Sequence, residues 1–166
     1  MGIKNYQKQL WRGRAPSGLT IIEMVVAFSI ILIGLVLGYQ GLNAFNETTA
    51  VTSGVEEALA ILDDARNRTV SARNKSQFGA HLEQDRMILF PGITYDSANP
   101  ANEIHILSPR IEIVSITLAG GGPDIVFARS TGQTAQYGSF IIRSRKSPSI
   151  LRTLNILRSG LAMVQP

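Results

Sequence analysis

The stretch Gly18-Leu19-Thr20-Ile21-Ile22-Glu23-Met24-Val25-Val26-Ala27 decides how this chain folds. It opens on a small residue, carries one acid and leads into an apolar run. From Met24 to Asn46 no residue is charged, which makes 23 consecutive uncharged positions. As a helix rising about 1.5 Å per residue, the run reaches about 35 Å, against about 30 Å for a bilayer hydrocarbon core. A membrane-spanning helix is predicted there.

The flanks orient it. Upstream, Lys4, Lys8, Arg12 and Arg14 precede Gly18 with no acid among them. Downstream, Glu47, Glu56, Glu57, Asp63 and Asp64 come before the first base, Arg66. The basic flank belongs in the cytoplasm and the rest of the chain on the far side. An ordinary secretory signal has an apolar core of about 7 to 15 residues that ends at a small-residue cleavage site. Here the small residue, Gly18, stands before the apolar run. A cut after Gly18 removes the charges and leaves the helix on the mature chain.

Glu23 interrupts the apolar pattern, and a carboxylate in a membrane helix costs about 2.5 kcal/mol or more. One reading is a signal anchor that tolerates an acid at its cytoplasmic edge. The other is a charge that is met during assembly. Cleavage after Gly18 frees the amine of Leu19, four residues from Glu23. In a stack of like helices, Glu23 of one subunit approaches that amine on its neighbour. An uncompensated buried charge is costly, so such a pair sets the axial register.

These ten residues resemble the prepilin cleavage and methylation motif of bacterial type IV pilins and type II secretion pseudopilins. That motif has a Gly, an aromatic or apolar residue, Thr, two apolar residues, Glu and a long apolar helix. Leu19 departs from it, since Phe or Met is commoner there. The resemblance implies cleavage between Gly18 and Leu19 by a prepilin peptidase, which also N-methylates Leu19, and assembly through Glu23. It implies other pilin or pseudopilin subunits and an inner-membrane assembly platform as partners. It places the chain in the inner membrane as a single-pass protein with an exterior head, assembled into a pilus or pseudopilus. Inside the apolar run, Gly34, Gly38 and Gly41 admit three readings: close helix approach, simple tolerance, or local melting of the helix.

Composition narrows the function classes. The formal net charge is +4, and the four leader bases account for it. From Leu19 onward 12 bases face 12 acids, so the global charge argues nothing about nucleic acid. The chain has no cysteine, which excludes disulfides and thiolate metal sites.

Past the membrane run, Val55, Leu59, Leu62 and the stem of Arg66 form one apolar stripe at helical spacing. The stripe predicts a helix from Leu19 to about Lys75, on the order of 85 Å long. The period then turns strand-like. Candidate strands are Gln77–Leu82, Met87–Phe90, Ile104–Leu107, Ile111–Leu118, Ile125–Arg129, Gly138–Arg143 and Ile150–Leu157. Turns fall at 83–86, Pro91-Gly92, Asn99-Pro100, Ser108-Pro109 and 120–123. A helix followed only by strands predicts an α+β fold, with the long helix packed on an antiparallel sheet head. The expected organisation is a leader over 1–18, a membrane or filament-core helix over 19–46, an amphipathic helix over 47–75 and a β-rich head over 76–166. The segment Asp124–Gly132, followed by Gly138–Arg143, is similar to the GspH/FimT group of minor pilins and pseudopilins. That group carries a Phe, a Gly a few residues on, and two final strands ending near a Gly, here Gly160.

Catalytic constellations are missing from the sequence. His81 and His105 lack metal-ligand spacing, no Ser sits in a nucleophile elbow, and Gly120-Gly121-Gly122 is followed by neither Lys nor a helix. Asp96, Asn99, Asn102 and Glu103 offer oxygens for Ca²⁺ but match no calcium motif. A non-enzymatic subunit without metal or cofactor is expected. The stretch after Asp124 holds Arg129, Arg143, Arg145, Lys146, Arg152 and Arg158 and no acid. Arg143, Arg145, Lys146, Arg152 and Arg158 are therefore candidate DNA contacts in a DNA-uptake minor pilin. The competing readings are charges that guard a sheet edge and an anchored exterior protein that never polymerises.

Overall fold

A computed structural model describes Gly18, residues 20–71 and residues 76–165, leaving aside the surroundings of residues 38, 40 and 41. The leader bases, Leu19 and Lys75 lie outside the described residues. The chain divides between Gln40 and Gly41 into two compact units.

Helix α1 (Ile21–Ser71) is 51 residues long, begins in the first unit and ends in the second. Thr20 starts it. Its Oγ1 accepts the Glu23 N–H at 3.3 Å, and its carbonyl accepts the Met24 N–H at 3.1 Å. A hydroxyl that satisfies one of the first free N–H groups is what an N-cap supplies. Over the first unit the large apolar side chains of α1 are 50 to 84% exposed. By length and composition this helix can cross a membrane.

Among its described residues the second unit adds eight strands: β1 (Phe78–Leu82), β2 (Arg86–Pro91), β3 (Glu103–Ile106), β4 (Ile111–Leu118), β5 (Asp124–Val126), β6 (Gly138–Ser144), β7 (Leu151–Ile156) and β8 (Ala162–Val164). They form two antiparallel sheets, ordered β3-β2-β1-β5 and β4-β6-β7-β8. Seven strands stand where the alternation places them. The two-sheet division and the three-residue β8 are additions, because so short a strand carries no readable period. The expected Ile125–Arg129 strand is trimmed, since Phe127 leaves β5 to make an isolated bridge with Thr134.

One core joins α1 to both sheets. Val51, Val55, Ala58, Ile61, Leu62 and Ala65 from α1 are buried in it with Leu82, Met87 and Leu89 of the first sheet and Ile111, Ile113, Phe140, Ile142, Leu154 and Ile156 of the second. The buried face is rotated from the expected stripe, because Leu59 is only partly buried while Ala58 and Ala65 are fully buried. Small residues let the helix come close. A Cβ on Gly54 would lie 2.2 Å from Ile111 Cδ1. Burying each large aliphatic or aromatic side chain contributes about 1.5–3 kcal/mol, so this face holds the head together.

Candidate functional site

The N-terminal site is built on the first turn of α1. Gly18 is exposed, and a Cβ there would meet nothing within 4 Å. Glu23 stands three residues after the cap, exposed, beside a shallow groove of about 190 Å³ shared with Met24, Ala27, Phe28 and Ile31. Thr20 holds the Glu23 backbone. The Glu23 carboxylate is the only charged group among the described residues up to Asn46. A single exposed carboxylate on an apolar helix is a demand for a counter-charge once that helix is buried in lipid or protein. Leu19, whose amine would supply it, lies outside the described residues. The sequence held a signal for the cap, since Thr followed by Glu three residues later is a capping-box pattern.

The basic residues of the head are less free than their sequence implies. Arg143 of β6 lies directly opposite Glu112 of β4. Its Nε and Nη2 reach Glu112 Oε1 at 2.8 and 2.7 Å. Arg145 Nη1 lies 3.5 Å from Glu112 Oε2, and its Nε donates to the Ile111 carbonyl at 2.9 Å. Gln84 completes the cluster with a 2.7 Å bond to Glu112 Oε2. The Gln84 bond first, and the Arg143 bond after it, hold the Glu112 carboxyl below the usual carboxylate range. Glu112 is upstream of the acid-free stretch, so sequence order hid this partner. A lone acid between Ile111 and Ile113 in an alternating strand was the available clue.

The five candidate DNA contacts do not share one face. Arg152 is opposite Ile142, a core residue, so it projects from the other side of the sheet to Arg143. Arg158 lies over the Tyr137 ring at 4.3 Å and donates to its hydroxyl at 2.8 Å. Lys146 is exposed in the turn after β6.

Other polar groups of the head are engaged structurally. Buried Glu47 of α1 accepts the Ser144 hydroxyl proton at 2.8 Å, and Ser144 Oγ in turn accepts the Ser147 N–H. Arg68 spans Asp64 and Glu103, tying α1 to β3, and both carboxylates keep its guanidinium charged. His81 Nδ1 lies 2.5 Å from Asp124 Oδ1, and its ring stacks on Tyr95 with centroids 3.9 Å apart. In the loop whose oxygens were candidates for Ca²⁺, Asp96 Oδ1 accepts the Ala98 N–H and Asn99 Oδ1 accepts the Ala101 N–H. These are Asx turns, which use the oxygens locally. Among the described residues no group of three or more His, Cys, Asp or Glu side chains is placed to hold a metal ion.

The loosely similar C-terminal motif converges in space. Gly160 has φ +79°, and a Cβ on it would lie 1.8 Å from the Gly132 carbonyl oxygen and 3.2 Å from Phe127 Cδ1. The turn into β8 thus rests on the loop that follows Phe127. That loop in turn rests on α1, where a Cβ on Gly132 would sit 2.9 Å from Arg66 Nε.

No family model matches the chain, and no curated protein matches it in sequence. Solved structures do match. Two crystal forms of the type IV minor pilin FimU from Pseudomonas aeruginosa strain PAO1 superpose with TM-scores of 0.52 and 0.54, at 20% and 19% identity. The matches cover 69% and 74% of this chain and 92% of FimU in each case. The chain has the fold of a type IV minor pilin. At this identity it is the pilin fold that is shared: one long N-terminal apolar helix and antiparallel sheets packed on its second half. Pilin-like architecture also accounts for the asymmetry of α1, exposed and apolar in one unit and half-buried in the other.

Proposed function

We propose that this protein is a minor pilin-like or pseudopilin-like structural subunit that is made as a prepilin. A prepilin peptidase cuts between Gly18 and Leu19, and the new Leu19 amine is methylated. The mature subunit stays anchored by α1, with its head on the exterior side of the inner membrane, and assembles with other pilin-like subunits from an inner-membrane platform. Residues 1–18 are then the leader, 19–46 the membrane or filament-core helix, 47–75 the helix on the head and 76–166 the β-rich head. Glu23 pairs with the Leu19 amine of a neighbour.

The observation that carries this reading is the exposed apolar face of α1 with one carboxylate at its start, on a chain of pilin fold. A helix with that much exposed apolar surface needs lipid or like helices around it. The test is intact-mass measurement of the membrane-extracted protein. A mature chain that starts at Leu19 and carries one extra methyl is expected. A chain that still starts at Met1 in cells with an active prepilin peptidase would refute it.

A further inference from the structure

We infer that the end of the head nearest the membrane is a docking face for anionic phospholipid headgroups, with Arg110, Arg145 and Lys146 as its cations. The inference rests on the reading that α1 anchors the chain in a bilayer with the head outside. Strand register and helix contacts fix which end that is. A Cβ on Gly54 would lie 3.8 Å from Ile142 Cγ2, whereas Ser144, two residues further along β6, donates to Glu47 at 2.8 Å. β6 therefore runs towards the membrane end of α1, and the turn at 145–150 lies beyond it. β4 starts at the same end, because Ile111 stands opposite Ser144 and the Arg110 carbonyl accepts the Arg145 N–H at 2.8 Å. Glu47 directly follows the uncharged run, and Leu42 and Phe45, in the same unit, are 65 and 68% exposed. Along the chain the first charges after that run are acids; the fold brings bases to its level.

The acids at this end are matched, while two of its bases are not. Glu112 is held by Gln84, Arg143 and Arg145, Glu83 and Asp85 lie on Arg86, and Glu47 is buried against Ser144. The side chains of Arg110 and Lys146 are exposed and meet no acid among the described residues. Arg145 is shared: its Nε is on the Ile111 carbonyl, while its side chain stays 40% exposed. Beside it runs an open groove of about 510 Å³ lined by Asp85, Ile106, Leu107, Pro109 and Arg145. Ile106 is 71% exposed. Unmatched cations beside exposed aliphatic groups suit the boundary between headgroups and acyl chains, where Lys and Arg lay their stems on apolar surface and keep the charge at the phosphates. A nucleic-acid backbone would take the cations and leave Ile106 in water.

The chain has no cysteine, so single dye sites can be introduced. Full-length protein is placed in phosphatidylcholine nanodiscs with and without phosphatidylglycerol, labelled through Val36→Cys, Ser149→Cys or Gln133→Cys, and quenched from water with acrylamide. Val36 reports the anchor, Ser149 the docking face, and Gln133 the end of the head by Arg66. Ser149 should be shielded in discs that contain phosphatidylglycerol and open in phosphatidylcholine alone, with Gln133 open in both. Raising salt from about 0.1 M to about 1 M cuts the screening length from about 10 Å to about 3 Å and should release Ser149. In the double variant Arg110→Gln, Lys146→Gln the ratio of docked to free heads should fall about tenfold or more, since each base at an anionic surface contributes about a fivefold factor. Equal shielding of Ser149 in both lipids, shielding in neither, or shielding that the double variant retains would overturn the docking. Shielding by duplex DNA added to phosphatidylcholine discs, with none from phosphatidylglycerol, would assign the cations to nucleic acid and overturn it too. A Val36 dye left open to acrylamide would instead overturn the anchor reading, and the docking with it.

Discussion

Gln84 Nε2 donates to Glu112 Oε2 at 2.7 Å, joining the tip of the β1–β2 hairpin to the first strand of the other sheet. The backbone repeats the join one residue on, where the Ile113 N–H donates to the Gln84 carbonyl at 2.9 Å. The two sheets meet at this seam, and Arg143 and Arg145 close over it.

Acid should loosen the seam. The folded state holds Glu112 below its ordinary value, through Gln84 first and Arg143 next. Asp85, beside Arg86, is lowered in the same way. A carboxyl with a depressed folded value contributes stability that is present above its unfolded value, about 4.3 for Glu, and lost as pH falls through the folded value. Glu112→Gln should therefore lower the melting temperature of the head at pH 7 and flatten its decline below about pH 4. Equal melting curves for wild type and variant across that range would show that the seam does not depend on the charge.

Gly160→Ala should destabilise the head by about 2 kcal/mol or more. The added methyl would meet the Gly132 carbonyl oxygen, a backbone atom that cannot swing away, and φ +79° strains any residue with a Cβ. Urea unfolding at constant m-value measures the loss. An unchanged midpoint would mean that the β8 turn relaxes freely off the Phe127–Gly132 loop.

Glu23→Gln should leave cleavage and membrane insertion intact and cut recovery in sheared filaments by about tenfold or more, the scale of an uncompensated buried amine. Insertion should become easier, since the carboxylate is the costly group. Equal recovery of both proteins from filaments would contradict the proposed pairing with Leu19.

A soluble head should begin no later than Gly41. Glu47 and Val51 are buried, and Glu47 bonds Ser144, so starting near Gly54 would discard both. A chain of residues 41–166 should melt in one transition with mixed α and β circular dichroism. Starting at Gln77 strips off Val55, Ala58, Ile61, Leu62 and Ala65 and should aggregate. If the Gln77 form were as soluble and stable as the longer one, the helix would not be the cover of this core.

DNA binding by that head should be weak and sequence-independent. Each phosphate contact would add roughly −0.9 to the slope of log affinity against log salt. With Arg143 and Arg145 on Glu112 and Arg152 on the other face of the sheet, a steep slope is not expected. A gel shift that persists at physiological salt and disappears in Lys146→Gln would move DNA uptake ahead of a purely structural role.

The sequence by itself determined the part of this protein that acts one residue at a time. An uncharged run long enough to span a bilayer, a basic flank, a Gly before the run and one Glu within it are legible without a fold, because hydropathy and charge are local properties. The change from helical to alternating period was legible too, and so were seven strands. What only the tertiary structure decided concerns partners far apart in the chain. Arg143 lies opposite Glu112 and Gly160 against Gly132, and the helix face was set by Ala58 and Ala65 as much as by Leu62. Those facts depend on strand register and on how close a helix can approach a sheet. A charge pattern written along the chain cannot reveal whether an arginine stands free or has a buried carboxylate beside it, because pairing is settled by the fold's free energy and not by sequence distance.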